Sequence, residues 1–275
     1  MVEAGVGFTV LLPVYAGDSA PFLHRAFRSA TTDQNLRPDA LVVVQDGPIG
    51  ALLGDTLADL VRSSPVPVEV VRLPENVGLA RSLDVGLRVC PTEIVARVDA
   101  DDVSLPHRFA VQVPLVRDGL DLVGSAIAEF TDDEERPGLV RVPPLTSVEI
   151  AQYARFHDPF NHPSVVYRRS AVTAAGGYRE LDRMEDYWLF TRMIAAGART
   201  ANLAEPLVLY RVGAGAYRRR GGLRMLRSEL ELQRRLRADG FTSRAEMARN
   251  VVVRGGYRLV PEVLRRSAYR QMRRA

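Results

Sequence analysis

The sequence predicts an α/β domain on a central, mostly parallel sheet, followed by a basic helical extension. Three observations carry this. Over roughly the first 130 residues, short apolar runs alternate with helix-like stretches, the rhythm of parallel strands joined by helical crossovers. Polar residues, among them Tyr15, Asp46, Asn76 and Asp99, stand just past successive strand-like runs. Arginine crowds the end of the chain: residues 218–275 hold seventeen Arg against five acids, a net of +12, which leaves the body at −8.

The elements follow in order. Phe8–Val14 reads as a strand that stops at Pro13-Val14-Tyr15. Pro21 at a helix start, with Phe22, Leu23, Ala26 and Phe27 after it, predicts an amphipathic helix. Ala40–Val44 is a second strand, closed by the turn signal Asp46-Gly47-Pro48. Leu52, Leu53, Leu57, Leu60 and Val61 mark a helix, and the β-branched run Val66–Val71 a third strand. Gly78–Val89 is helical, and Ile94–Val98 is a fourth strand with Asp99-Ala100-Asp101-Asp102 at its carboxyl end. Ligands of open α/β sheets bind beyond the carboxyl ends of strands, so this order would gather Tyr15, Asp46, Asn76 and Asp99 on one edge. Beyond Phe130 the pattern loosens. Thr131–Pro144 reads as a loop, Ser147–Phe156 as a helix, Ser164–Tyr167 as a strand, Asp186–Ala196 as a helix and Pro206–Tyr210 as a strand. From Gly221 onward Leu223, Leu226 and Leu230 repeat at helical spacing among arginines.

Composition narrows the function. At 275 residues, 47% hydrophobic and 25% charged, the chain has the balance of a soluble globular protein. No apolar run approaches the roughly 20 residues of a membrane span, and the N-terminus lacks the layout of a secretory signal, so a cytoplasmic chain is expected. Cys90 is the single cysteine, which removes intramolecular disulfides and thiolate metal clusters. All 37 basic residues are arginine. Without lysine there is no P-loop, no kinase ion pair and no pyridoxal Schiff base.

Three carboxylates in Asp99–Asp102 repel one another at the end of a buried strand unless a cation or hydrogen-bond donors compensate. Hard divalent ions such as Mg²⁺ or Mn²⁺ prefer such oxygens and complete their shells with water and phosphate. A solvated turn with one Asp capping the next helix is the plainer alternative.

Val10-Leu11-Leu12-Pro13-Val14-Tyr15, Asp46-Gly47, the block Asn76-Val77-Gly78-Leu79-Ala80-Arg81-Ser82-Leu83, and Ala96-Arg97-Val98-Asp99-Ala100-Asp101-Asp102 resemble family 2 glycosyltransferases of the GT-A fold. So does the later pair Gly176-Gly177-Tyr178 and Glu185-Asp186-Tyr187-Trp188-Leu189. The order of motifs, over roughly residues 8–211, is more specific than any one of them, and within the family it is similar to bacterial enzymes of capsule, exopolysaccharide or lipopolysaccharide assembly.

The resemblance implies a nucleotide-sugar domain over 1–215, with a donor half of about 1–130 and an acceptor half of about 131–215, and an extension over 216–275. It implies a nucleoside-diphosphate sugar donor, UDP by default, inversion at the anomeric carbon, and a glycan or lipid-linked acceptor. Pro13, Tyr15 and Asp46 would border the base, with Asn76 and Arg81 nearby and Asp99 on the ribose side. Asp101 would hold Mn²⁺ or Mg²⁺, assisted by Asp102. Asp186 would be the general base, with Glu185 and Trp188 shaping the acceptor side; for the Glu-Asp pair, helix N-terminal charge is the alternative. Many relatives carry a late His near metal or diphosphate. This chain has Val212-Gly213 there, which turns attention to Arg211 or Arg218-Arg219-Arg220 as phosphate neutralisers. His162 would line the acceptor side or serve as a hydrogen-bonded structural histidine.

Two rivals stay in view. A sugar nucleotidyltransferase would show a glycine-rich loop after the first strand, where Pro13-Val14-Tyr15 stands. A non-catalytic module would act through its arginine tail. The tail's aromatics are sparse (Phe241, Tyr257, Tyr269), which argues against nucleic acid; an anionic membrane surface on the inner face of the cell membrane is the better partner.

Overall fold

A computed structural model describes residues 7–131, 133–213 and 222–259 of the chain. Strand β1 (Phe8–Tyr15) runs into helix α1 (Ala20–Ala30), β2 (Ala40–Asp46), α2 (Ala51–Ser63), β3 (Val68–Arg72), α3 (Leu79–Val89) and β4 (Ile94–Arg97). These four strands are parallel in the order β3-β2-β1-β4, as expected from the alternating pattern. Every side chain of β4 is buried, and β1 alternates Val10, Leu12 and Val14 toward one face with Leu11 toward the other. Both faces are therefore covered, which is why the strands read as continuous apolar runs.

The chain then departs from the simple pattern. After β5 (Val103–Ser104) and α4 (Arg108–Arg117) comes β6 (Leu122–Phe130), a strand buried along its whole length. Residues 133–144 form the expected loop except for β7 (Val140–Arg141), which pairs with β6. Helix α5 (Ser147–Tyr153) starts with a capping box between Thr146 and Glu149. A 3₁₀ turn, His162–Ser164, leads into β8 (Val166–Arg168), so Ser164 lies before the strand rather than in it. Helices α6 (Arg169–Ala174) and α7 (Glu185–Ala195) follow, then β9 (Thr200–Arg211), longer than predicted and bulged beside Ser125–Ile127 of β6. β8 inserts antiparallel between β4 and β6, and β9 carries β5 on its outer side. One sheet thus runs through both halves of the chain.

Leu23 and Phe27 of α1, Leu53, Leu57 and Leu60 of α2, and Phe109, Val113 and Val116 of α4 fill one face. Leu83 and Leu87 of α3 and Leu189, Phe190 and Met193 of α7 fill the other. Each fully buried side chain of this size contributes ~1.5–3 kcal/mol relative to exposure. On the second face α3 approaches the sheet so closely that a Cβ at Gly86 would lie 2.4 Å from Leu11.

The extension comprises α8 (Leu223–Ala238), α9 (Arg244–Asn250), a π turn at Val251–Gly255 and α10 (Gly256–Leu259). Met225, Leu232 and Leu236 pack on Leu181, Met184, Tyr187 and Trp188. Its arginines are not all surface charge. Glu229, fully buried, is clasped by Arg254 and Arg258. The Arg218–Arg220 run and the chain after Leu259 lie outside the described residues.

Candidate active site

Parallel pairing aligns the ends of three strands. Tyr15 is opposite Asp46, and the amide of Val98 donates to Leu11 O at 3.1 Å, extending β4 beside β1. The chain then folds through Asp99–Asp102 into β5, which β9 pins at Leu209 and Val208. Arg108, fully buried, fixes this turn from behind: it donates to Arg97 O at 2.8 Å and to Ser104 Oγ at 3.0 Å. Burial lowers its pKa to about 9, with Arg97 as a further depressing charge and Asp102 and Asp99 opposing.

Oxygens of Asp99, Asp101 and Asp102 lie within 4.8 Å of one another, the one such acid or histidine group of metal-ligating spacing among the described residues. Each is held differently. Asp99 receives a two-pronged ion pair from the buried Arg97, one contact of 2.7 Å from Nη1. Asp102 accepts from the Arg211 amide at 2.8 Å through Oδ1, whereas its buried Oδ2 has no partner. Burial, with Asp99 and Asp101 close by, pushes the Asp102 carboxyl well above its ordinary value. Asp101 rises to about 6, chiefly by burial and then by Asp99. A neighbouring acid that sequence reading passed over, Asp18, rises to about 7 by burial, with Asp101 and Asp99 adding to it. It sits three residues past the end of β1 and accepts from Tyr15 N at 2.9 Å. Its signal in the sequence is its closeness to Tyr15 at the end of the first strand.

The orphaned, buried Oδ2 beside two further carboxylates is the environment a hard divalent cation satisfies, since burial without a counter-charge is costly. The donor set fits Mn²⁺ or Mg²⁺.

Asp46 and Asn76 come together as predicted, but as a clasp. The Asp46 carboxylate accepts from Asn76 Nδ2 (3.0 Å), Val77 N (2.7 Å) and Gly78 N (3.0 Å), fixing the loop before α3. A Cβ at Gly47 would lie 2.6 Å from Asn76 N, so the turn after β2 must remain glycine for the loop to close over it. Pro13 is half-buried and Tyr15 is 48% exposed at the edge of this region. Arg81 is exposed at the start of α3, with no ion pair among the described residues.

Arg211 has a place of its own. It is at the acidic loop, but its guanidinium is stacked between Phe22 and Phe130 (3.9 and 4.3 Å) and donates to Asp101 O and Thr131 O. It braces the loop from within.

A second pair of acids stands at the N-terminus of α7. The Tyr187 amide donates to Asp186 Oδ1 at 2.7 Å, and Asp186 Oδ2 is 3.6 Å from Nδ1 of His162. His162 is buried and its Nε2 meets the Tyr178 hydroxyl at 2.8 Å. Burial, with Arg97 nearby, holds its pKa well below the ordinary value, so the imidazole is neutral at pH 7. The hydrogen-bonded structural histidine is the reading the geometry favours, with Asp186 as its neighbour. Burial raises the Asp186 carboxyl; the Tyr187 amide and Arg97 pull it back. Glu185 rises to about 8, first by burial and then by Asp186. Arg97 also lowers Asp101 and Asp102, and Asp99 raises Asp186. The acidic loop and the α7 terminus therefore lie within electrostatic reach of each other, with Arg97 as their shared buried cation.

Trp188 is elsewhere. Two residues along a helix differ by about 200° in direction, so Asp186 and Trp188 leave α7 on opposite sides. The indole is buried against the extension, donates to Asp239 Oδ2 at 2.7 Å and lies beneath Arg235 and Arg192. The expectation that it shapes the acceptor side is replaced by an interface role.

Residues 9–176 match the model of glycosyl transferase family 2. The chain belongs to that family. A glycosyltransferase of amylovoran biosynthesis in Erwinia amylovora, AmsE, is 35% identical over 239 residues, covering 85% of this chain and 88% of the relative. An Escherichia coli UDP-Gal:alpha-D-GlcNAc-diphosphoundecaprenol beta-1,3-galactosyltransferase is 28% identical over 267 residues, covering 96% of each chain. Among solved structures, the mannosyltransferase PcManGT of Pyrobaculum calidifontis, in complex with GDP-Man and Mn²⁺, superposes with a TM-score of 0.68 at 16% identity, over 97% of this chain and 75% of that one. The S. aureus TarS fragment 1–349 with UDP-GlcNAc gives 0.66 at 16% identity, over 90% and 70%. These likenesses establish the GT-A fold. This glycosyltransferase is an enzyme, and the nucleotidyltransferase and non-catalytic alternatives fall.

Proposed function

We propose that this glycosyltransferase moves a sugar, with inversion, from a UDP-sugar to a hydroxyl of a growing, lipid-linked bacterial surface glycan, and that it needs Mn²⁺ or Mg²⁺. The observation that carries the proposal is the partnerless buried oxygen of Asp102, in an aspartate loop whose Asp99 acts electrostatically on a second, half-buried acid, Asp186. Relatives named for amylovoran biosynthesis and for galactosyl transfer to a diphosphoundecaprenol acceptor support the glycan class.

In this reading the donor lies along the strand ends. Pro13, Tyr15 and the Asp46–Asn76 clasp border the nucleobase, with Arg81 nearby, and Asp99, held by Arg97, faces the ribose. Asp101 and Asp102 hold the cation, which when bound stabilises the negative charge that grows on the departing diphosphate. Asp186 removes the acceptor proton from the opposite side, as single-displacement inversion requires. Glu185, protonated at neutral pH, is suited to donate a hydrogen bond to the acceptor and not to act as base. His162 keeps Asp186 in place from within. The donor reading is tested by thermal shift with UDP-, dTDP- and GDP-sugars, with and without Mn²⁺. A ligand at 100 times its Kd stabilises by ~2.7 kcal/mol, and a Mn²⁺-dependent rise with UDP-sugars is expected; no rise with any of them sinks the reading.

The same proposal places the enzyme peripherally on the cytoplasmic face of the membrane. Among the described residues no helix is long and apolar enough to cross a membrane. Leu223, Val252, Val253 and Leu259 are exposed on the arginine-rich extension, a mixture suited to an anionic interface. Flotation with anionic but not neutral liposomes is expected. Equal recovery with both rejects the electrostatic attachment.

A further inference from the structure

The extension is joined to the base-bearing helix on two sides. On the first side, the chain enters α7 through Arg183 at φ 59°, a left-handed state that is costly for a non-glycine residue and persists only where neighbours enforce it. Its neighbours are held by the extension. Asp182 takes a two-pronged contact from Arg224 of α8 (2.6 and 3.0 Å), while Leu181 and Met184 pack on Met225.

On the second side, three consecutive carbonyls after α5 each accept from a different side chain. Ala154 O takes the Tyr187 hydroxyl at 2.8 Å, Arg155 O takes Asn250 Nδ2 at 2.8 Å, and Phe156 O takes Arg254 Nη1 at 2.8 Å. Arg254 is the keystone of this set. Its other edge forks onto the buried Glu229 (Nε 2.6 Å, Nη2 3.0 Å), and its guanidinium lies 5.3 Å from the Tyr187 ring centre. Glu229 also accepts from Gln233, whose own oxygen accepts from Asn250, so the two donors to 155 and 156 are tied to one carboxylate. The segment so held continues to Asp158, whose carboxyl burial and then Asp186 push well above its ordinary value, while Arg254 pulls it down.

We propose that the extension is a splint for the general base, and that Arg254 is a positioning residue, holding the 154–158 segment and Tyr187 so that the adjoining Asp186 faces the acceptor. This rests on the reading of Asp186 as base. Among the described residues no hydrogen bond or ion pair of this network reaches the acidic loop or the nucleotide clasp, so the splint bears on transfer and not on donor capture.

The test compares kcat, donor KM and the Mn²⁺-dependent donor thermal shift in the full chain. Arg254→Met is expected to lower kcat about ten- to a hundredfold, the scale set by small misplacements of reacting groups, with donor KM and thermal shift within about twofold of wild type. Arg254→Lys, which keeps the charge but cannot span Glu229 and Phe156 O together, should recover part of kcat. Because Arg254→Met leaves Glu229 short of a partner and can impair folding, the charge-balanced pair Glu229→Gln with Arg254→Gln, and the uncharged Tyr187→Phe, are measured beside it. A folded Arg254→Met or double variant with wild-type kcat overturns the splint, as does a parallel fall of kcat, donor affinity and melting temperature. Asp186→Asn in the same series separates the causes. If that variant is inactive while the Arg254 variants are fully active, the splint alone is wrong; if it transfers normally, the base assignment falls and the splint with it.

Discussion

Asp186→Asn is expected to lower kcat by about two to four orders of magnitude, the range for losing a positioned general base, while donor binding survives. Asparagine keeps the shape of the side chain, and its amide oxygen still accepts from the Tyr187 amide that Asp186 Oδ1 meets at 2.7 Å. The end of α7 should therefore hold its conformation, and only the capacity to take a proton is lost. The pH dependence gives a second readout. A base works ionised, so wild-type kcat should fall as pH drops through the Asp186 ionisation, which burial lifts above 3.8 and which the Tyr187 amide and Arg97 restrain. That limb should vanish in the variant. Glu185 is the competitor for the role, but with its carboxyl pushed up to about 8 it is mostly protonated at neutral pH. Measuring release of free nucleoside diphosphate at saturating acceptor, together with the Mn²⁺-dependent thermal shift by donor, separates chemistry from binding. Transfer within tenfold of wild type would move the base elsewhere.

The donor side of this site was readable because its logic is topological. Parallel strands joined by helices put Tyr15, Asp46 and Asp99 at one sheet edge whatever their neighbours do, and β1, β2 and β4 lie within a residue or two of the predicted spans. Strand β6 carries no comparable signal although it is central. Its run includes Gly124 and Ser125, and it follows α4, where Pro114 and the buried Arg108 and Gln112 blur the helical period. Buried arginines were the larger blind spot. A charged residue is ordinarily read as surface, yet Arg97 and Arg108 are enclosed because an acid, a hydroxyl and backbone carbonyls receive them, and those partners come from the end of β4 and the acidic loop after it, from β5 and from Val165 just before β8. The net charge of the extension likewise says nothing of direction: Arg254 and Arg258 turn inward onto Glu229. Trp188 departs from its expected place for a simpler reason: adjacency in a motif is not a shared direction on a helix.

Asp102→Asn should divide stability from activity. Without metal, the wild-type side chain is a buried carboxylate with one oxygen bonded to the Arg211 amide and the other without a partner, beside Asp99 and Asp101. The amide removes the charge and retains an acceptor for Arg211, so the metal-free variant is expected to melt above wild type. Each ~1 kcal/mol gained would raise Tm by about 2–4 °C in a domain of this size. The sign fixes the pH window. Burial and the two acidic neighbours raise the folded-state pKa of Asp102 above its unfolded value, so the wild type loses stability as pH climbs from near 3.8 toward that raised value. The advantage of asparagine should be absent at lower pH and grow through the same interval. With Mn²⁺ the order reverses: wild type gains stability by binding, the variant much less, and transfer falls by about a hundredfold or more as support for the diphosphate charge is lost. Such inversion is what a site kept charged for function, against its own folding interest, should display. A variant that melts below wild type without metal, or that keeps the full Mn²⁺ shift, would mean that the bare oxygen of Asp102 serves the fold and not a cation.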